Sequence, residues 1–226
     1  HVPWNTKPSL TYKNLTDAKK QQILQIAFKE FTLHTYEKAS VSNIIKQLGI
    51  AKGSFYRYFR NKLDLYTYLV EYATAVRLEK VEHHLPEPKA QDFFEFLEDN
   101  FVRRIKFEQQ YPIYGQFLYN IMRERHSELL GNIMLKTKKN LMHGVMQKVK
   151  HFQPQANLRH DLDLPSVAFL IIQIQFGLHD FIVLNKNDLK EEMMRDFSQL
   201  PPLEDEEIHQ IAKRLVDIVK NGLIPP

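Results

Sequence analysis

The chain predicts an all-α fold: a three-helix unit at the N-terminal end, within residues 1–65, followed by a larger helical domain over 66–226. Three observations carry this. Apolar residues recur three or four apart in one segment after another, the spacing that gathers them on one face of a helix. Glycine is scarce, 7 residues in 226, so little of the backbone is reserved for tight turns. The prolines stand between the periodic segments or at their starts, where a missing N–H costs least.

Residues 1–15 hold two prolines and two lysines and show no period, which predicts a mobile arm. A first helix follows from Thr16 or Asp17 to about Leu33, with Ile23, Leu24, Ala27, Phe28 and Phe31 on one stripe. Ser40 suits the N-cap of a second, two-turn helix whose Val41, Ile44, Ile45 and Leu48 share a face. Gly49 then stands where a helix closes in a left-handed residue, a conformation that a β-carbon disfavours. Ile50 can plug the turn into the core. From Ala51 to Phe59 the helical pattern resumes, with Ala51, Phe55 and Phe59 inward and Gly53, Arg57 and Arg60 outward, flanked by Ser54 and Tyr56. Asn61, with Asp64 three residues on, caps a long connecting helix that should reach about His84 before Pro86 and Pro88.

Helical periodicity returns from Lys89 to Gln110, with Phe94, Leu97, Phe101 and Ile105 on one face. It continues from Pro112, with Tyr114, Phe117, Leu118 and Ile121, and from Ser127 to His151. The segment from Pro165 to about Asn185 is apolar nearly all round, which predicts a helix buried on two sides. A last helix from Glu204 to Asn221 places Ile208, Ile211, Leu215, Ile218 and Val219 on one stripe. The last two helices can pair with their copies in a homodimer as a four-helix bundle, or close the core of a monomer.

The stretch from Ser40 to Leu65 carries the functional signal. Two helices joined by a short glycine-containing turn, the second presenting small, hydroxylated and cationic side chains outward, suit a helix entering a DNA major groove. Gly53 lets backbone come close. Lys52, Arg57 and Lys62 can neutralise phosphates, Arg57 can also bond a guanine edge, and the hydroxyls of Ser40, Ser54, Tyr56 and Tyr58 can hold phosphate oxygens. The charge is divided accordingly: residues 1–65 hold 11 Lys and Arg against 4 Asp and Glu, a balance of +7, whereas the rest holds 20 against 23, a balance of −3.

The run from Thr16 to Leu65 resembles the N-terminal domain of the tetracycline-repressor (TetR/AcrR) family. Ile23, Ala27 and Phe31 match in its first helix, then Ser40, Val41, Ile44, Leu48, Gly49, Lys52, Gly53, Ser54, Tyr56, Tyr58, Phe59, Lys62 and Leu65. By that resemblance Ser40, Lys52, Gly53, Ser54, Tyr56, Tyr58 and Lys62 fall on positions that usually touch DNA, and a homodimer is expected. One departure is Ala51, where the family commonly has Ser or Thr; the side-chain cap and phosphate contact are lost there, while the backbone N–H groups remain.

Other chemistries find little support. There is no Cys, hence no disulfide or thiolate. Ten His are present, yet none stands in an arrangement that sets metal ligands on one helical face, and no phosphate loop, dinucleotide turn or nucleophile elbow occurs, so neither metal, cofactor nor catalysis is expected. No membrane span is expected, the nearest stretch being Val167 to Leu178, and no signal peptide is expected at the start; the location expected is cytoplasmic. Aromatics crowd 88–185, and Gln173, Gln175 and His179 interrupt an apolar helix, where a buried amide or imidazole needs a partner. Phe101, Tyr114, Phe117, Gln173, Phe176 and His179 are therefore the candidate pocket for a small, largely apolar effector. The expected function is a transcriptional regulator, most simply a repressor, on a palindromic duplex. The alternatives are an architectural or cell-division protein without effector, or a helical ligand carrier.

Overall fold

A computed structural model describes residues 8–82, 93–123, 128–153, 158–159, 161–185, 198 and 200–223. Among them, in chain order, are α1 (Leu10–Lys13), α2 (Asp17–Leu33), α3 (Val41–Leu48), α4 (Lys52–Tyr58) and α5 (Lys62–Arg77). They are followed by α6 (Phe93–Gln110), α7 (Pro112–Arg123), α8 (Glu128–Phe152), α9 (Leu164–Asn185) and α10 (Asp205–Leu223). No strand occurs among the described residues. The chain forms two compact units, one of His1–Glu79 with Ile113–Ser127, the other of Lys80–Pro112 with Glu128–Pro226. This division is not the single cut expected at 65/66. It falls inside a π-helical turn, Leu78–Glu82, that continues α5, and it assigns most of α7 to the first unit. His83, His84, Pro86 and Pro88 lie outside the described residues.

In the first unit the caps sit where the side chains dictate. Thr16 Oγ1 accepts from Lys19 N at 3.3 Å, Ser40 Oγ from Asn43 N at 3.2 Å, and Asn61 Oδ1 from Asp64 N at 2.8 Å. Gly49 adopts φ 62° and ψ 32°, so the turn between α3 and α4 is left-handed as its glycine allows. The inner face is aromatic, with Phe28, Phe55 and Phe59 fully buried. α7 belongs here because Phe117 meets Phe28 edge-on at 5.0 Å and Tyr66 at 5.5 Å, and because Asn120 Nδ2 donates to the Thr32 carbonyl at 2.9 Å, near the end of α2.

The N-terminal stretch departs from the expected mobile arm. Ser9 caps α1, and Tyr12, 2% exposed, packs on Phe59 and Tyr68 at 5.0 and 5.4 Å. A four-residue helix is too short to display a period, and its one buried side chain is what fixes it.

The second unit is built on α6, which packs along α10 and α9, with α8 against α9. Phe93, Leu97, Phe101, Leu178, Ile208 and Val219 lie in one core. Asp163 accepts from Ser166 N at 2.9 Å and so starts α9, placing Pro165 one residue inside the helix. Two expectations are corrected. Ile218 is 71% exposed; on α10 the inward row runs through Ile208, Ile211, Ala212, Val216, Val219 and Leu223, and Ile218 lies a full 100° from Val219. α9 buries Val167, Ile171 and Leu178 but leaves Phe169, Leu170 and Leu184 exposed, so its apolar surface is covered on one side of this chain and open on the other. α9 is also the one helix among the described residues long and apolar enough to cross a membrane; here it is a core helix against α8 and α6.

Candidate nucleic-acid interface and a cavity in the second unit

The short helix α4 presents the expected outward face. Phe55 and Phe59 anchor its inner side, and Lys52, Gly53, Tyr56 and Arg57 are exposed, with Ser54 and Tyr58 half-buried; Ala51, expected inward with the two phenylalanines, is exposed instead, since it precedes the first turn of the helix. A β-carbon at Gly53 would meet nothing within 4 Å, so packing inside this chain does not demand glycine there. Arg57 Nη2 donates to Ser54 Oγ at 3.3 Å, which lays the guanidinium along the helix surface. No side chain caps α4 at Ala51, in line with the missing hydroxyl.

Ser40 and Lys62 have backbone duties. Ser40 N donates at 2.8 Å to Glu30 Oε1, a carboxylate only 4% exposed, whose Oε2 accepts from Asn43 Nδ2 at 2.5 Å. Glu30 thus ties the start of α3 to α2, with its charge at the favourable end of the helix dipole. Nothing in the sequence singled it out, because a carboxylate on an amphipathic helix reads as solvated. Lys62, expected on a phosphate, donates to the carbonyls of Glu37 and Ala39 at 3.0 and 2.8 Å and stands 4.8 Å from the Tyr36 ring centroid. It braces the loop before α3. Arg60, outward as expected, is paired with Asp64 at 3.4 Å.

The six residues expected in an effector pocket are not brought together. Tyr114 and Phe117 pack on Phe28 at 4.9 and 5.0 Å in the first unit. Phe101 is fully buried core, and Gln173 is exposed, since an all-apolar helix offers no sequence cue to its outer face. Phe176 lies under the Arg104 guanidinium, 4.6 Å from it. Of the six, only His179 lines a cavity of about 280 Å³ in the second unit, together with Ile105, Glu108, Gln109, Ile182 and Leu203.

The walls of that cavity are electrostatically unusual. Burial lowers the His179 pKa to about 4, against a weaker upward pull from Asp180, so the imidazole is neutral near pH 7. Beside the lining residue Glu108, at 3.4 Å, stands Arg104, whose pKa is lowered by burial while Glu108 acts in the opposite direction. Gln109 Nε2 donates to the Leu203 carbonyl at 3.3 Å, and its buried Oε1 meets no hydrogen-bond partner among the described residues. Among the described residues no three His, Asp or Glu side chains gather as a metal site would need.

The profile of a family described as bacterial regulatory proteins, tetR family, matches residues 23–69, from the middle of α2 through the helix-turn-helix into α5. Residues 23–69 thus carry a DNA-binding domain of the TetR type. HTH-type transcriptional regulators of Staphylococcus aureus, among them those of strains USA300 and N315, are 42% identical to this chain over 57 residues, 24% of its length. The chain spans 31% of the length of those relatives. The whole fold is shared more widely. A TetR family transcriptional regulator from Chloroflexus aurantiacus superposes with TM-score 0.79 over 97% of this chain and 99% of that one at 23% identity. SmeT, the repressor of a Stenotrophomonas maltophilia multidrug efflux pump, gives 0.63 over 95% and 93% at 14% identity. An all-α chain with a helix-turn-helix domain followed by a larger helical domain is therefore the architecture that this chain shares with those regulators.

Proposed function

We propose that this protein is a cytoplasmic, non-enzymatic transcriptional repressor of the TetR type that reads a palindromic duplex as a homodimer and is released by a small effector. The observation that carries the reading is α4: a helix anchored by Phe55 and Phe59 that offers Lys52, Gly53, Tyr56 and Arg57 outward, within residues 1–65, which hold the positive balance. Phe169, Leu170 and Leu184, exposed along α9, support a second copy as the cover of that face. SmeT, of the same fold, is a repressor.

The cavity supports the effector. Its size is near the lower end of the usual range of about 300–1,000 Å³, and its lining joins apolar walls to the acceptor Oε1 of Gln109, which favours a compact apolar molecule with one N–H or O–H donor. Pro112 lies on the cavity wall and is the first residue of α7, whose residues from Ile113 on belong to the first unit. An effector that favours one position of α7 shifts the population of binding-competent dimers, a coupling of typically about 1–3 kcal/mol. Selection of bound duplexes from a random double-stranded library tests the reading. It predicts an enriched two-fold sequence bound by two chains; retention that merely falls with salt, with no sequence enriched, would favour the architectural alternative.

A further inference from the structure

We propose that residues 9–13 position the recognition helix for sequence reading, with Ser9 and Tyr12 as the positioning residues; this rests on α4 being the DNA reader. α4 has seven residues and no side-chain cap at its start, and a helix of that length does not hold itself in water. Its last carbonyls need partners from outside the helix. Ser9 supplies them. Its hydroxyl donates to the Arg57 carbonyl at 2.5 Å, and its N–H donates to the Tyr58 carbonyl at 3.3 Å. The same hydroxyl accepts from Tyr12 N at 3.2 Å, so one oxygen joins the start of α1 to the end of α4. The segment is closed on itself, with Lys13 N on the Ser9 carbonyl at 3.1 Å and Asn14 N on that of Leu10 at 3.0 Å.

Tyr12 completes the lock. Its buried ring lies against Phe59 just beyond the end of α4, against Tyr58 at 6.4 Å, and against Tyr68 of α5. The residue whose carbonyl Ser9 holds is Arg57, the outward guanidinium. A bidentate bond to a base edge tolerates only a few tenths of an ångström, whereas attraction to phosphates tolerates slack. Loosening the end of α4 should therefore cost discrimination between sequences and leave non-specific attraction intact. The matched family region begins at residue 23, so Ser9 and Tyr12 lie outside it while the end of α4 that they hold lies within.

The test uses the full chain, the palindromic duplex recovered by selection with the wild-type protein, and an unrelated duplex of equal length, each at several salt concentrations. Ser9→Ala should weaken binding to the palindrome several-fold, about tenfold at most, the worth of one or two hydrogen bonds. Binding to the unrelated duplex and the salt slope should not change, and Ser9→Thr should restore the palindrome. Tyr12→Leu should do more than Ser9→Ala, with circular dichroism establishing that each variant is folded. Equal loss on both duplexes would reduce the segment to a fold stabiliser, no loss would remove its role, and a flattened salt slope would make it a direct phosphate contact; each overturns the proposal. Failure of the wild-type protein to enrich any sequence would defeat the DNA-reading function itself, a result distinct from enrichment that Ser9→Ala leaves untouched.

Discussion

In the first unit, polar side chains reach across the chain to backbone: Ser9 to the end of α4, Glu30 to the start of α3, Lys62 to the loop before it. In the second unit the notable polar groups lie inside, with Arg104 against Glu108 and Phe176, and His179 and Gln109 on a cavity wall. The difference suits two tasks. A surface that must match a rigid duplex gains from having its backbone fixed at several points, because slack is paid for at every base contact. An interior that holds space and incompletely matched polar groups can gain from a bound molecule.

The largest expected effect breaks the first unit at its buried carboxylate. Glu30→Ala leaves Ser40 N–H and Asn43 Nδ2 without their acceptor and should cost about 3 kcal/mol in denaturant unfolding, with Glu30→Gln costing less. A loss under about 0.5 kcal/mol would mean that water replaces it.

The second unit is probed by pH through His179. Its folded pKa of about 4 lies below the ordinary 6.5, so as pH falls the unfolded chain takes up the proton first. The stability contribution is therefore fully present above about pH 6.5 and is lost progressively as pH falls towards 4. About 2.5 units at 1.36 kcal/mol each bound the loss at about 3 kcal/mol. His179→Gln should flatten this part of the profile when unfolding midpoints are compared at pH 7 and 4.5; an unaltered profile would put the proton elsewhere. Smallest is Lys62→Ala, expected to cost about 1 kcal/mol of stability through the carbonyls of Glu37 and Ala39. A salt slope flattened by about one in that variant would show that the ammonium also serves a phosphate.

What the sequence made legible was local. Thr16, Ser40, Asn61 and Gly49 announce helix ends by chemistry that acts within three residues, and the stripes of α2 and α3 follow the helical period, so these elements stand where they were expected. The rest depends on distant partners. Glu30 and Lys62 look like solvated surface until Ser40 and Ala39 are placed beside them. Tyr114 and Phe117 carry the same stripe whether their cover is a ligand or Phe28. On α9, with apolar residues all round, no period distinguishes Gln173 and Phe169 on the outside from Ile171 within. Tyr12 sits in a helix of four residues, hardly more than one turn, too short for a period to repeat.

The claim that the exposed face of α4 reads DNA is tested most directly by measuring the affinity of wild-type protein and Arg57→Ala for the selected palindrome and for a version with one half-site scrambled. The account predicts that wild type separates the two duplexes and that Arg57→Ala loses about 1–3 kcal/mol on the palindrome, with most of the discrimination gone. Equal affinities of the two proteins for both duplexes would contradict it.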